Sequence, residues 1–72
     1  MSKIIEFQLK QEHIPLIQLL KFVGVASSGS DASMLVEENQ VLCNGIIETR
    51  KRYKVKDGDV ISTLKHEIRV KK

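Results

Sequence analysis

The sequence predicts an α+β fold from three features of its hydropathy pattern. Residues 4–9 alternate in part between apolar and polar side chains. Apolar residues then recur at helical spacing over residues 16–23 and again over residues 32–36. Beyond Asn39 only short apolar runs remain, separated by turn residues. We therefore expect a short N-terminal strand, two packed short helices and a small, twisted, mostly antiparallel sheet.

The N-terminal part of the chain is predicted to form one strand and the first helix. Residues 4–9 are predicted to be a strand because their alternation buries one face. Pro15 suits the first turn of a helix, and Gly24 is placed to end it. The first helix is therefore predicted over about residues 15–23.

The second helix is predicted to begin near a cluster of serines. Ser28, followed three residues later by Asp31, resembles a capping box with Asp in place of Glu. Asn39 stands where this helix must stop, and Asn is the best substitute for Gly in a left-handed C-terminal position.

The C-terminal part is predicted to be a set of short strands. Asn44-Gly45 between apolar runs predicts a two-residue type I′ hairpin turn, which requires positive φ at both residues. Asp57-Gly58 predicts another turn. We expect the last two residues of the sequence to fray. The predicted strands cover residues 41–43, 46–47, 60–63 and 68–70.

Length and composition argue against an enzyme, a metal protein and a membrane protein. A chain of 72 residues has room for one small core, so we take residues 1–72 as a single domain. Catalytic and metal-binding motifs are absent from the sequence, and one cysteine, Cys43, cannot form an internal disulfide. No segment is long and apolar enough for a signal peptide or a membrane span. We expect a cytoplasmic monomer without a cofactor, a metal or a membrane partner.

Positive charge is concentrated near the C-terminus. The formal net charge is +3, but residues 50–72 carry nine cations against three carboxylates, whereas residues 1–49 carry three cations against six carboxylates. Such asymmetry raises the local concentration of polyanions. The densest stretch is residues 50–56, the cationic segment, and its cations are Arg50, Lys51, Arg52, Lys54 and Lys56. This segment can neutralise phosphates.

The pattern within the cationic segment leaves two interpretations open. In an extended chain, Lys51, Tyr53 and Val55 point to the opposite side from the other four cations, which share one face. That face is either a solvated strand surface or a phosphate-binding surface, and the segregation favours the second. Tyr53 could stack on a base, but its place beside Val55 favours packing. Ser28 and Ser30 could cap the helix, contact phosphate, or do both.

The order and spacing of these features resemble a known RNA-binding module. The stretch IQLLKFVGVASSGSDASMLVEENQVLCNGIIETRKRYKVKDGDVI is similar to the RNA-binding domain of ribosomal protein S-four, the αL motif, over about residues 14–62. The chain resembles the small stand-alone bacterial members of that family. The matching residues are Gly24, Ala26, Ser27, Ser28, Ser30, Ala32, Leu35, Val41, Asn44, Gly45, Val55, Gly58, Asp59 and Ile61.

The resemblance implies a set of RNA-binding residues and one departure from the family pattern. Many family members carry RNA-facing arginines in the second helix, where this chain has Gly29, Ser33 and Met34. The resemblance therefore favours binding through the loop after the Asn-Gly turn. Lys21 is included, although a cation late in the first helix also suits the helix dipole. The expected RNA-binding residues are Lys21, Ser28, Ser30, Asn44, Arg50, Lys51, Arg52, Lys54 and Lys56.

Three functions are compatible with the sequence. The first is an RNA-binding protein for structured RNA, with ribosomal or transfer RNA, or the ribosome or one of its subunits, as partner. The second is a protein-interaction adaptor in ribosome-associated or RNA-modification complexes, which the charge-depleted second helix favours. The third is an accessory part of a modifying enzyme. We expect the first.

Overall fold

The computed structural model describes residues 3–72, which form the predicted α+β fold with seven strands and two helices. Five strands make one sheet in the order β1-β7-β6-β3-β4, in which β1 and β7 run parallel and the other neighbours antiparallel. A second, two-stranded antiparallel sheet pairs β2 with β5. The elements are β1 (Lys3–Gln8), β2 (His13–Pro15), α1 (Leu16–Phe22), α2 (Gly29–Glu37), β3 (Leu42–Cys43), β4 (Ile46–Ile47), β5 (Lys54–Lys56), β6 (Val60–Ser62) and β7 (His66–Lys71).

The core joins the two helices to the larger sheet. The leucines of α1 at helical spacing are fully buried, and α2 contributes two small or branched residues. Ile61 of β6 and Ile68 of β7 are opposite each other in the ladder and are also fully buried. The i, i+3, i+4 pattern of α1 therefore supplies its buried side, which shares one core cluster with these two isoleucines. The buried helix residues are Leu16, Leu19, Leu20, Ala32 and Val36.

The predicted turn and cap residues adopt the expected conformations. Ser28 is extended and its Oγ accepts a hydrogen bond from the Asp31 N–H at 3.2 Å, which confirms the helix cap. Asn39 follows α2 with φ of 57°, in the left-handed region. Asn44 and Gly45 have φ of 53° and 87°, as a type I′ turn requires. These local signals fix both ends of α2 and the β3–β4 hairpin.

Three details of the prediction were wrong. The β2–β5 ladder was missed, and Pro15 ends β2 and precedes α1 rather than forming its first turn. The last residues do not fray, because Lys71 pairs with Gln8 and the Lys72 N–H donates to Asp57 at 2.9 Å. A three-residue strand containing proline has too little pattern to be seen in the sequence.

Candidate functional site

The cationic segment is half turn and half strand. The Tyr53 N–H donates to the Arg50 carbonyl at 3.2 Å, which closes a turn before β5 begins at Lys54. The segment is therefore extended only from Lys54 onward, whereas the prediction from alternation assumed an extended chain throughout. The alternation in exposure nevertheless holds, because Val55 is buried and Tyr53 half-buried while the four cations of the predicted face are exposed.

These four cations surround one open cleft. The cleft, here the cationic cleft, has a volume of about 730 Å³, and Tyr53, Glu12 and His13 complete its lining. Glu12 is its single carboxylate among the described residues, and it forms an ion pair with Lys72 at 2.7 Å. That pairing lowers the pKa of Glu12. The arrangement gives a surface with a strong excess of positive charge. The cations are Arg50, Arg52, Lys54 and Lys56.

The Tyr53 ring lies against two cations of the cationic cleft. The Arg50 guanidinium lies 5.0 Å from the centre of its ring and the Lys56 ammonium 5.7 Å from it. The ring packs against the core, as predicted, and its hydroxyl donates to Asp59 at 2.9 Å. Burial, followed by the hydrogen bonds to Cys43 and Asp59, raises the pKa of Tyr53. The phenol therefore stays protonated and remains a donor to Asp59, while its ring lies beside both cations.

Asp59 is the centre of a buried polar network beneath the cationic cleft. Its side chain is 5% exposed, and its carboxylate accepts from the Tyr53 hydroxyl, from the Lys56 N–H at 3.1 Å and from the Asn44 amide at 3.1 Å. Burial raises its pKa, but these hydrogen bonds outweigh burial and leave the pKa lowered. Asn44 also accepts from the Val60 N–H at 2.9 Å. The predicted site residue Asn44 thus joins the hairpin to the cationic segment.

A second carboxylate orients Arg50. Glu48 is 8% exposed and accepts from the Arg50 guanidinium at 3.0 and 3.2 Å, and from the Arg50 N–H at 3.0 Å. The side-chain hydrogen bond from Arg50 is the main reason that the pKa of Glu48 is lowered. Bidentate pairing fixes the guanidinium plane. Arg50 remains largely exposed, so it can still meet an anion.

Lys51 points away from the cationic cleft. Its ammonium group pairs with Glu37 in the last turn of α2, so the fifth cation of the segment ties that segment to the helix. This orientation agrees with the alternation in the sequence. Lys51 is therefore separated from the four cations that line the cleft.

Of the remaining predicted residues, Lys21 lines a second cleft, the helix cleft, between α1 and the start of α2, while Ser28 and Ser30 flank Gly29 of its lining. It has a volume of about 460 Å³, and Lys21, Gly29 and Arg52 contribute to its lining. Arg52 lines both clefts, which makes them neighbours. Ser28 and Ser30 are exposed at the beginning of α2. The lining of the helix cleft is completed by Pro15, Ile17, Gln18 and Phe22.

Within residues 3–72 the structure brings together no cluster of metal ligands. Groups of three or more potential metal ligands do not occur there. Cys43 is buried, and burial raises the pKa of its thiol, which makes it a poor nucleophile. Neither helix of the described chain is long and apolar enough to cross a membrane.

Sequence reasoning missed the residues that support the site from inside. Glu48 and Asp59 are buried, although the sequence presents them as ordinary charged residues. Glu12 and His13 line the cationic cleft because β2 pairs with β5, which places His13 opposite Lys56. The available signal for Asp59 was its position directly after Gly58, which is too common to single it out, and Glu48 has no turn residue beside it.

Comparison with known proteins identifies the family. A family model described as "S4 domain" matches residues 7–71. The chain belongs to the S4 domain family. The match covers most of the chain and confirms the resemblance drawn from the sequence.

Two curated relatives and one solved structure agree with this assignment. The chain is 39% identical over 61 residues to "Putative RNA-binding protein YbcJ" of Escherichia coli (strain K12), covering 85% of this chain and 87% of the relative. "Uncharacterized protein YbcJ" of Shigella flexneri matches with the same identity and coverage. The solution structure of E. coli YbcJ, described as revealing an alfaL motif involved in RNA-binding, superposes with a TM-score of 0.75 at 38% identity, over 100% of this chain and 92% of that one. The E. coli protein therefore shares the fold of this chain over almost its whole length.

Proposed function

We propose that this protein binds structured RNA, with the cationic cleft as its main phosphate-binding surface. The observation that carries the proposal is the convergence of four exposed cations on one cleft containing a single carboxylate. Each of these cations can displace counterions from a phosphate backbone. The name of the E. coli relative and the motif described for its structure support RNA as the polyanion.

The cationic cleft is held ready for an anion before any ligand arrives. Arg50 is fixed by Glu48 and by the Tyr53 ring, and Lys56 approaches the same ring. Because these side chains are already ordered, less conformational entropy is lost on binding. The neighbouring helix cleft extends the surface, with Lys21, Ser28 and Ser30 as proposed contacts beside the amides of α2.

The predicted residues do not all contribute in the same way. Arg52, Lys54 and Lys56 contact phosphates directly in this proposal, together with the oriented Arg50. Asn44 acts by supporting the network around Asp59, since both ends of its amide are used within the fold. Lys51 contributes less, because its charge is shared with Glu37.

We further propose ribosomal or transfer RNA as the ligand class, with the ribosome or one of its subunits as a possible setting. Structured RNA presents phosphates along a groove edge, which a cleft of this shape can follow. In this proposal the protein acts in the cytoplasm as a monomer and has no catalytic activity, cofactor or metal.

The salt dependence of binding tests this function. We expect log affinity for a fluorescently labelled RNA hairpin to fall against log salt with a slope of at least ~3, as about four phosphates at ~0.7–0.9 each predict. Fluorescence anisotropy from 50 to 300 mM salt would measure it. No binding at low salt, or binding that is independent of salt, would contradict the proposal.

A protein-interaction adaptor is the second candidate. Ile46 and Ile47 are 74% and 50% exposed on β4, the strand at one edge of the larger sheet. Adjacent exposed apolar residues on an edge strand favour a protein partner. The affinity of such an interface would depend weakly on salt, whereas the affinity for phosphates would fall steeply as salt increases.

A further inference from the structure

The exposed ring of Phe22 is not explained by the fold. Phe22 is the last residue of α1 and is 70% exposed. The buried side of α1 is supplied by leucines, so the ring is not required for the apolar face. Exposing an aromatic ring to water loses the stabilisation that its burial would give.

The position of the ring is nevertheless restrained. Phe22 contacts Phe7 of β1 edge to face, with ring centroids 5.4 Å apart and planes at 79°. Such pairs prefer this geometry and hold the two rings in a defined relation. A large, exposed and restrained aromatic surface is the form that base-stacking side chains take in RNA-binding proteins.

On the side of the helix cleft, the surroundings of Phe22 are cationic, whereas the cleft on its other side includes Glu6 and Lys10. The helix cleft places the ring together with Lys21 and Arg52, and the described residues of its lining include no carboxylate. A nucleotide requires this combination, because its base stacks on an aromatic ring while its phosphate is neutralised by a cation. Other strongly exposed apolar residues, such as Leu64, are aliphatic and offer no π face.

We propose that Phe22 is a stacking platform for one unpaired base, whose adjacent phosphate is bound by Lys21 and Arg52. This inference rests on the proposed RNA-binding function and adds the class of RNA. In a continuous duplex every base is paired and stacked on its neighbours, so none can reach the ring. The ligand is therefore a stem with a bulged or loop nucleotide. Arg52, shared by both clefts, connects that nucleotide to the phosphates in the cationic cleft.

Two matched RNAs test the proposal. One is a blunt-ended duplex of two RNA strands with a single bulged 2-aminopurine, and the other is the same duplex with that nucleotide paired. We expect the wild-type protein to bind the bulged RNA about 5- to 150-fold more tightly, as stacking of one base predicts. We also expect the fluorescence of 2-aminopurine to change when the base leaves its RNA neighbours and stacks on the ring.

Substitutions of Phe22 separate stacking from apolar contact. Phe22→Ala and Phe22→Leu should both lose the preference for the bulged RNA and the fluorescence change, whereas Phe22→Trp should retain the preference. Leu64→Ala removes an equally exposed apolar side chain elsewhere and should behave as wild type. Circular dichroism would verify that each variant is folded.

The outcomes distinguish this inference from the proposed function. Equal affinity of the wild-type protein for both RNAs, with no change in Phe22→Ala, would overturn the stacking role and leave RNA binding intact. Retention of the preference by Phe22→Leu would also overturn it, since leucine cannot stack. Failure of the wild-type protein to bind either RNA would overturn both proposals.

Discussion

The cationic segment and helix α2 are neighbours with opposite charge. The segment carries five cations and no carboxylate, whereas α2 carries Asp31 and Glu37 and no cation. The two meet at the Lys51–Glu37 ion pair and along the helix cleft, where Gly29 and Arg52 line the same space. The cationic segment therefore forms one wall of this surface, the charged wall, and supplies positive charge. Helix α2 forms the other wall and supplies backbone amides and hydroxyls.

The two regions are also stabilised differently. The cations rest on buried carboxylates, Glu48 and Asp59, whose hydrogen bonds are internal. The start of α2 depends on local capping, in which Ser28 accepts from Asp31 N–H and the Ser27 hydroxyl donates to the Asp31 carboxylate. Asp31 also places negative charge where a phosphate would approach. We therefore expect the cations of the charged wall to contribute most of the affinity for RNA.

Removing the charged wall should have the largest effect. We expect Arg52, Lys54 and Lys56, all changed to Ala, to lower the salt slope of RNA binding by about 2–3 units, at ~0.7–0.9 per lost phosphate contact. Anisotropy titrations at several salt concentrations would measure the slope. Lys3, Lys10 and Lys65 changed to Ala remove the same charge elsewhere and provide the control. If both triple variants lose affinity equally, general charge rather than the cleft binds RNA.

Removing the buried support should destabilise the protein itself. Asp59→Ala leaves the Tyr53 hydroxyl, the Asn44 amide and the Lys56 N–H without their acceptor. We expect a loss of ~1–3 kcal/mol in the free energy of unfolding, measured by urea denaturation. Lys54→Ala, at an exposed position of the preceding strand β5, should change it little. A wild-type stability for Asp59→Ala would mean that the network does not support the segment.

The same network predicts how stability depends on pH. Asp59 and Glu48 have lowered pKa values in the folded protein, so their stabilisation is complete above their ordinary values of 3.8 and 4.5. It is lost as the pH falls through the lowered values. We expect wild-type stability to decrease below about pH 4.5, and less steeply in Asp59→Ala, where Glu48 alone remains of the two. Parallel decreases would show that Asp59 is not responsible.

The hairpin that positions Asn44 should be sensitive to its glycine. Gly45 has φ of 87°, and a β-branched residue is strained there, so we expect Gly45→Val to cost ~1–2 kcal/mol. For a domain of this size the melting temperature should fall by roughly 4–16 °C. Gly29→Ala, at a glycine without positive φ or close neighbours, is the matched control. An unchanged melting temperature for Gly45→Val would contradict the role of this turn.

Adding a cation to the start of α2 should have the smallest effect. Gly29 lies at the first residue of α2, and a Cβ there would meet no atom within 4 Å. We expect Gly29→Arg to fold normally and to steepen the salt slope by about one contact, ~0.7–0.9. Gly29→Gln is the neutral control. If the arginine leaves RNA affinity and slope unchanged, RNA does not approach this end of α2.

The sequence predicted the parts of the site that depend on residues close together in the chain. Ser28, Asn39 and the Asn44-Gly45 turn were predictable because their signals involve only nearby residues. The exposed face of the cationic segment was also predictable from alternation.

Interactions between distant residues were not predictable in this way. Pairing of β2 with β5 brings His13 to Lys56 across more than forty residues, and no local pattern records it. The burial of Asp59 likewise depends on Asn44, fifteen residues away. Polar residues whose partners are remote in sequence look like surface residues until the fold brings them together.

The parallel pairing of β1 with β7 also constrains when the domain can fold. Lys3 is paired with His66, so 63 further residues must be synthesised before the partner of the first strand begins. At a translation rate of about 5–20 residues per second, this synthesis takes roughly 3–13 s. Until then β1 is an unpaired edge with exposed apolar side chains, open to association with other chains. The five-stranded sheet can therefore be completed only after β7 has left the ribosome. Nascent chains that stop before His66 should remain incompletely folded.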